Sequence, residues 1–265
     1  MSRGRPRVEV LAAGVLLAAY LSLPTLAIAV RALGAPRAAL VSPAVLDALR
    51  LSVATSSLAM ALVVALGTPL AYLLARHDFR GRRLLDAVVD LPLVLPPVIA
   101  GLGLLLVFGR RGPVGAALEA AGLGVAFTTA AVVMAQVFVA TPYYVRTLKV
   151  GLAAVPREVE AAALTDGAGR WLAFWSVTLP VALPAATEGL VLAWSRALAE
   201  FGATLVFAGS LIGRTRTLPL ATYAALESGV EESVALALVL TVLSLALFAL
   251  SRAALRAPGA APGRG

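Results

Sequence analysis

Cysteine is absent from the sequence, and His77 is its only histidine. Without cysteine, the chain can form neither a disulfide nor a thiolate metal site. A single histidine is also too few for a histidine-based metal or catalytic centre, and we interpret His77 as a loop residue. The sequence therefore predicts no metal site and no catalytic residue of these types.

Charged residues are scarce, and apolar residues take their place. Asp, Glu, Lys and Arg make up 14% of the 265 residues, hydrophobic residues make up 60%, and the mean hydropathy is +0.94. Soluble domains average about 25% charged and roughly 45–50% apolar residues. At about 20 residues for each spanning helix, this length allows roughly six spans. We therefore predict an all-α, polytopic membrane bundle with about six transmembrane helices.

Six apolar runs can be delimited by the charges between them. They cover residues 8–30, 51–75, 86–109, 125–146, 177–209 and 233–252. The first run follows three arginines, as in a signal peptide, but it exceeds the roughly 7–15 residues of a signal h-region, so we predict a retained helix. Pro92, Pro96 and Pro97 predict a break or kink at the start of the third run. The fifth run is overlong and has a polar middle.

Lys and Arg are distributed unevenly between the loops. With the amino terminus inside, the inside segments carry about twice as many of them as the outside segments, which predicts that both termini are cytoplasmic. The basic residues behind the net charge of +8 then orient the chain and do not indicate a nucleic-acid site. Segment 210–232 falls outside, where we expect a short helix or a re-entrant segment. Residues 253–265 have the composition of a disordered tail.

A polar segment, residues 147–176, separates the fourth and fifth runs and forms the longest inside loop, called the polar loop below. Pro156 suits the first turn of a helix, Glu158 and Glu160 favour the helix dipole near its start, and Gly167 provides a stop. These signals predict a helix of about ten residues, roughly 15 Å long. Because so short a helix is marginal in water, it lies either on its own bundle or in a groove of a cytoplasmic partner.

The chain has no nucleotide-binding loop of its own. A Walker A loop needs a lysine followed by serine or threonine after glycines. Lys149 is the only lysine, and it lies in the sequence RTLKVG. If the protein pumps a substrate, the energy must come from another chain or from an ion gradient.

The polar segment resembles the cytoplasmic signature of bacterial ABC importer permeases. That signature is Glu-Ala-Ala, three residues, Gly, nine residues, Ile, one residue and Leu-Pro. Gly167, Val177 and Leu179-Pro180 keep the register, with Val in place of Ile. Residues 161–163 are all alanine, and the acid, Glu160, comes one place early. This departure leaves open which side of the helix carries the acid.

Two further stretches narrow the resemblance, which covers residues 45–252. RALAEFGATLVFAGSLIGRTRTLPLATY, residues 196–223, resembles the molybdate/tungstate permease group. Sulfate permeases share a related Arg-x-Leu-x-Glu pattern and are the next closest group. Residues 49–76 resemble the opening core helix of the family.

The resemblance implies a type I ABC importer permease in a bacterial or archaeal cytoplasmic membrane. It implies a first helix and linker at 1–44, a permease core at 45–252 with a coupling loop at 147–176, and a tail at 253–265. Its cargo would be a tetrahedral oxyanion, with molybdate or tungstate ahead of sulfate or thiosulfate. Its partners would be a second permease copy, two ATPase subunits that bind ATP and Mg, an extracytoplasmic oxyanion-binding protein and membrane lipid. The chain itself would carry no cofactor and no catalytic residue.

The same resemblance assigns contact with the ATPase to the polar loop. The residues are Arg157, Glu158, Glu160, Ala161, Ala162, Ala163, Asp166, Gly167, Leu179 and Pro180. We expect Glu160 to be exposed, so that Glu160→Lys leaves the fold intact and weakens binding of the ATPase.

Charged residues within or beside the fifth run form a second candidate site. Arg196 and Glu200 are four residues apart and share a helix face. They form either a neutralising pair that faces the bundle or, with Gly202, part of an anion path, because charge within a membrane is costly and often functional. Gly202 also favours close helix approach. Outside, Arg214 and Arg216 are candidates for contact with acids on a binding protein.

Two other classes of function remain as alternatives. A secondary transporter driven by protons or sodium would need carboxylates along its path, for which Glu188 and Glu200 are available. Its uptake would collapse with an ionophore and be insensitive to loss of the ATPase. A membrane scaffold would leave anion uptake unchanged when deleted. The polar loop argues against both classes.

Overall fold

The computed structural model describes residues 8–34 and 42–256, and within these ranges the chain forms helices and turns without a strand. The helices are α1 (Val8–Leu33), α2 (Pro43–Arg76), α3 (Arg82–Val94), α4 (Pro97–Phe108), α5 (Gly115–Ala120), α6 (Thr129–Ala154), α7 (Arg157–Thr165), α8 (Arg170–Ala173), α9 (Leu179–Leu198), α10 (Gly202–Ala208), α11 (Leu218–Ser228) and α12 (Val230–Arg256). A π-helical segment, Phe174–Thr178, joins α8 to α9. The predicted all-α fold is confirmed.

Two sequence predictions concern the ends of the chain. The predicted first helix at 8–30 corresponds to α1, whereas part of its linker, residues 35–41, lies outside the described residues. The predicted disordered tail began at residue 253, but α12 continues through Arg256. The remainder of that tail, residues 257–265, also lies outside the described residues.

Among the described residues, four helical stretches are long and apolar enough to cross a membrane by themselves. They are Glu9–Arg31, Pro43–Arg76, Arg170–Leu198 and Glu232–Ala249. The helix α6 has 26 residues, about 39 Å at 1.5 Å per residue, but Gln136, Arg146 and Lys149 make it less apolar. A fifth span is possible if α3 and α4, which bend by 117° at their junction, cross the membrane as one broken unit.

The third apolar run, predicted as one span at 86–109, is broken in two. Leu95 and Pro96 have extended backbone between α3 and α4, because a proline disfavours helical geometry in the residue before it. The predicted break therefore falls at Pro96 and Pro97, whereas Pro92 lies inside α3.

The prediction that the fifth run forms one span at 177–209 was wrong at both ends. The helical stretch of that run begins at Arg170 and ends at Leu198. The separate helix α10 follows after a break at residues 199–201, where the polar middle of the run lies. In the segment predicted to hold a short helix, residues 210–232, α11 is present.

The helix α6 lies at the centre of the bundle and packs against both α2 and α9. Glycines allow the close approach: a Cβ on Gly67 of α2 would lie 3.0 Å from the Tyr144 ring, and one on Gly189 of α9 would lie 3.1 Å from Thr147 Cβ. Helices in lipid associate largely through such close packing of small residues. The packing of α2 and α9 against α6 therefore forms the core that positions the polar loop.

A second group of helices packs at the opposite end of α6. There α4 meets α10, and a Cβ on Gly101 would lie 2.6 Å from the Ala203 carbonyl oxygen. Ser52 of α2 accepts a 2.7 Å hydrogen bond from the Leu218 N–H and so holds the start of α11. In contrast, α1 contacts α12 but buries none of its apolar stretch, so its surface is left to lipid or to another chain.

Candidate functional site

The polar loop folds as α7, at the end of the bundle where α2 and α6 also end. Pro156 caps the helix, one position before its predicted place within the first turn. Gly167 adopts a left-handed φ of 90°, as its role as a stop requires. The N–H of Ala168 reaches the carbonyl of Ala163 at 3.0 Å, and that of Gly167 reaches Leu164 at 3.2 Å. These bonds form a Schellman motif that ends α7 before the chain turns into α8.

Most residues assigned to ATPase contact lie on the exposed surface of the loop. The exposed ones are Arg157, Glu158, Ala161, Ala162, Asp166, Gly167 and Pro180, whereas Glu160, Ala163 and Leu179 are partly buried. Val159 and Leu164 are also exposed on α7 and were not singled out from the sequence. The exposed surface of α7 therefore combines acidic, small and apolar side chains.

Glu160 points towards α2, so the expectation that it is exposed was wrong. Its Oε1 accepts a 3.0 Å hydrogen bond from the Tyr72 hydroxyl, and its Oε2 lies 3.4 Å from the Arg76 guanidinium. The reason is its register: one residue turns a side chain by about 100° around a helix. Glu160→Lys would place a second cation beside Arg76, so that substitution is not a clean test of ATPase binding.

An aromatic cluster lies beside this ion pair. The ring of Tyr72 contacts Phe174 of the π-helical segment at 5.0 Å and His77 at 5.6 Å, both edge-on. Trp171 stacks on Phe174 at 6.3 Å and is itself largely exposed, as is Trp175. The sequence analysis did not single out these rings, although three aromatic residues lie within five positions, 171–175. Through these ring contacts, α2 packs against α8 and the π-helical segment, which follow α7 in the chain.

Arg196 and Glu200 meet inside the bundle. The two charges are 2.8 Å apart, and the Glu200 side chain is fully buried. The other carboxylate oxygen of Glu200 accepts a 2.8 Å hydrogen bond from the Ala203 N–H and so caps α10. Gly202 is buried against α4, where an added Cβ would lie 3.0 Å from Pro97. The structure thus forms the neutralising pair and uses Gly202 for close helix packing.

Arg214 and Arg216 lie in the loop between α10 and α11. The Arg216 guanidinium donates to the Ser210 hydroxyl and carbonyl, each at 3.1 Å, and so fixes the loop from within. Arg214 is exposed, and its carbonyl accepts a 2.9 Å hydrogen bond from the Thr129 hydroxyl. Of the two, Arg214 is the more available to another protein.

The sequence analysis also missed two ion pairs between α3 and α6. Lys149 lies 2.5 Å from Asp86, and Arg146 lies 3.6 Å from Asp90. The sequence held a signal for these pairs, because acids spaced four residues apart, and likewise bases spaced three apart, share one face of a helix.

Glu188 of α9 has no such partner among the described ion pairs, and its side chain is exposed. In the part of the chain that the structure describes, no group of three His, Asp or Glu side chains could hold a metal ion.

Comparisons with known proteins agree on one family. Residues 67–257 match the family described as binding-protein-dependent transport system inner membrane component. The molybdenum transport system permease protein ModB of Mycobacterium bovis is 46% identical over 227 residues, which cover 85% of this chain and 86% of that protein. The probable sulfate transport system permease protein cysT of Chlorokybus atmophyticus is 38% identical over 184 residues, covering 69% and 64%.

The fold is shared with a solved transporter. A chain of a bacterial alginate ABC transporter, crystallised in complex with an alginate pentasaccharide-bound periplasmic protein, superposes with a TM-score of 0.70 over 94% of this chain and 95% of that one. Its 18% sequence identity makes this a likeness of fold alone. Together with the family match over residues 67–257, the comparisons show that this chain belongs to the binding-protein-dependent transport system inner membrane components.

Proposed function

We propose that this chain is the permease subunit of an ATP-driven importer that moves molybdate or tungstate into the cytoplasm of a bacterium or archaeon. The observation that carries the proposal is its 46% identity, over 85% of its length, to a permease named for molybdenum transport. Identity to the sulfate permease is lower and covers less of both chains. Sulfate and thiosulfate are therefore the next cargoes to test.

The exposed surface of α7 is the contact for the ATPase, and one ATPase subunit engages each permease. ATP and Mg are bound in that partner. Glu158 and Arg157 present charge at the start of the helix, Ala161 and Ala162 allow close approach, and Leu164 adds apolar area. An acid near a helix start is compatible with the helix dipole, so Glu158 is free to pair with a basic residue of the ATPase. This assignment places α7 and both termini in the cytoplasm.

A second copy of the permease covers the exposed face of α9. Glu188 lies within this spanning helix and is exposed. An ionisable side chain inside a membrane almost always faces protein or a water-filled cavity, because lipid solvates it poorly. The face that carries Glu188 therefore borders the partner copy or the passage between the two copies.

The anion passes without a tight site in this chain. Glu200 neutralises Arg196 at 2.8 Å, so the arginine does not offer an uncompensated positive charge to a dianion. Weak binding suits a passage, because a cargo held tightly is released slowly. Selection among oxyanions then belongs mainly to the extracytoplasmic binding protein, which Arg214 contacts from the permease.

Reconstitution tests the proposal directly. The chain is purified with the ATPase that copurifies from native membranes and is placed in vesicles with the cognate binding protein. Uptake of molybdate or tungstate should require ATP and should continue in the presence of a protonophore. Uptake that needs no ATPase and collapses with the protonophore would establish a secondary transporter instead. Titrating the binding protein with molybdate, tungstate and sulfate then identifies the cargo.

A further inference from the structure

We propose that Glu160 is a positioning residue that transmits movement of α7 to α2, and that it does not bind the ATPase. The inference rests on the proposed function, in which α7 meets an ATPase. It concerns the opposite side of that helix, where α7 meets its own bundle.

The contacts of Glu160 are all internal. Its carboxylate takes a hydrogen bond from Tyr72 at 3.0 Å and the charge of Arg76 at 3.4 Å. The Arg76 side chain is only 7% exposed and that of Glu160 18% exposed, so the pair is largely shielded from solvent. A charge-assisted contact in such surroundings is stronger than one on an open surface. Glu160 is therefore occupied on the side of α7 that faces its own bundle.

The same guanidinium also holds the entry to α7. Arg76 donates a 3.1 Å hydrogen bond to the carbonyl of Val155, in the turn between α6 and α7. One arginine at the end of α2 thus binds both the turn before α7 and the first turns of α7 itself. Movement of α7 away from the bundle would have to break or carry both contacts.

Apart from its contacts with Arg76 and Tyr72, the small helix packs mainly against the chain that follows it, in α8 and the π-helical segment, among the helix contacts of the described residues. It has nine residues, none of them buried, and a helix of this length is marginal in water. Its backbone exit runs through Gly167 and Gly169 to α8 and then to the π-helical segment, a geometry that is rare and often marks a functional site. The contacts of Glu160 with Tyr72 and Arg76 therefore connect α7 to α2 independently of the chain that leads into and out of α7.

The helix α2 is suited to carry movement to the opposite end of the bundle. It is 34 residues long, about 51 Å. Its polar side chains bond to three other helices: Thr68 to Tyr144 of α6 at 2.8 Å, Ser56 to Trp194 of α9 at 3.0 Å, and Ser52 to Leu218 of α11 at 2.7 Å. A contiguous set of contacts thus runs from Glu160 to the start of α11, and it offers a physical route for coupling between the distant ends.

The test compares assembly with coupling in the complete transporter. Glu160→Gln keeps the shape of the side chain and removes its charge, and Tyr72→Phe removes one hydrogen bond. Each complex is assayed in vesicles for copurified ATPase, for ATP hydrolysis stimulated by the molybdate-loaded binding protein, and for molybdate uptake. We expect Glu160→Gln to retain the ATPase while uptake per ATP falls at least about fivefold, the lower range of typical coupling effects. Tyr72→Phe should lower the same ratio less.

Three matched variants separate this role from a structural one. Glu160→Asp should recover part of the uptake per ATP, and Asp78→Asn, at an exposed residue near the same end of the bundle, should leave the ratio unchanged. Exchanging the charges, Glu160→Arg with Arg76→Glu, should give a higher ratio than either single change. Loss of the ATPase in Glu160→Gln, or an unchanged ratio, would overturn the inference. Failure of the unaltered complex to show ATP-dependent uptake would instead contradict the proposed function.

Discussion

At the scale of single residues, two ion pairs hold parts of this apolar chain together. Arg196, at the end of α9, pairs with Glu200, which lies just before α10. Arg76, at the end of α2, pairs with Glu160 of α7. Isolated charge is costly in a low-dielectric interior, and a partner with good geometry offsets much of that cost. Each pair therefore fixes the position of a helix end as well as a charge.

Removing Glu200 should destabilise the protein strongly. Glu200→Ala leaves Arg196 without its partner and removes the cap on the Ala203 N–H. We expect a loss of about 2–4 kcal/mol, slightly less than the roughly 3–5 kcal/mol lost when one member of a fully buried ion pair is deleted, because the Arg196 side chain is 26% exposed. Unfolding in detergent, followed by tryptophan fluorescence, measures the change.

A double substitution provides the control for this loss. Arg196→Gln combined with Glu200→Gln removes both charges and keeps a group that can accept the Ala203 bond. It should recover most of the lost stability. Normal stability of Glu200→Ala alone would contradict the assignment of Glu200 as a buried partner and cap.

At the scale of elements, α7 divides its two sides between two tasks. Glu158 lies on the exposed side, whereas Glu160 faces α2. Glu158→Lys should therefore leave the bundle intact and reverse the charge offered to the ATPase. We expect the copurified ATPase to fall about tenfold, equivalent to about 1.4 kcal/mol of binding.

The amount of ATPase retained per permease measures this effect by quantitative mass spectrometry. Thermal unfolding of Glu158→Lys should match that of the unaltered chain, which excludes a folding defect. Full retention of the ATPase would show that this side of α7 is not its contact.

The contact between α4 and α10 depends on a glycine with no room for a side chain. A Cβ on Gly101 would lie 2.6 Å from the Ala203 carbonyl oxygen and 2.7 Å from Ala203 Cα, so backbone atoms would have to move. Gly101→Ala should cost about 1–3 kcal/mol, as overpacked sites do. Gly103 on the same helix has open space around it, so Gly103→Ala is the matched control. Equal unfolding midpoints in detergent would contradict this packing.

At the scale of the whole molecule, apolar side chains remain exposed on several helices, and those of α1 and α9 make a useful comparison. The described part of α1 has no buried apolar residue, and Leu16 is 72% exposed; Leu192, on the helix α9 that carries Glu188, is 45% exposed. We expect a second copy on α9 and lipid on α1, because Glu188 lies within the spanning stretch of α9, whereas the charges of α1, Glu9 and Arg31, lie at its ends.

Because the sequence has no cysteine, single substitutions allow clean crosslinking. Leu192→Cys in membranes should link two permease chains with a short bismaleimide, whereas Leu16→Cys should remain monomeric on a denaturing gel. Equal crosslinking at both positions, or crosslinking from α1 alone, would contradict the proposed dimer face.

Much of the architecture followed from composition and local signals. The apolar runs identified the long helices, and Pro156 and Gly167 bracketed α7 to within one residue, because proline and glycine constrain the backbone at their own positions. The register from Gly167 to Leu179-Pro180 also pointed to the correct family without reference to the fold. These signals are local, so the sequence by itself determined the long helices, the ends of α7 and the family.

Tertiary structure decided where the side chains point and which helices meet. Glu160 and Arg76 are 84 positions apart, and no local pattern connects them until α2 and α7 end at the same side of the bundle. The pairing of Lys149 with Asp86 has the same origin. Direction around a helix changes by about 100° with each residue, so the role of an acid at position 160 depends on what packs beside it. The sequence supplied the charges, and packing around α6 decided their partners.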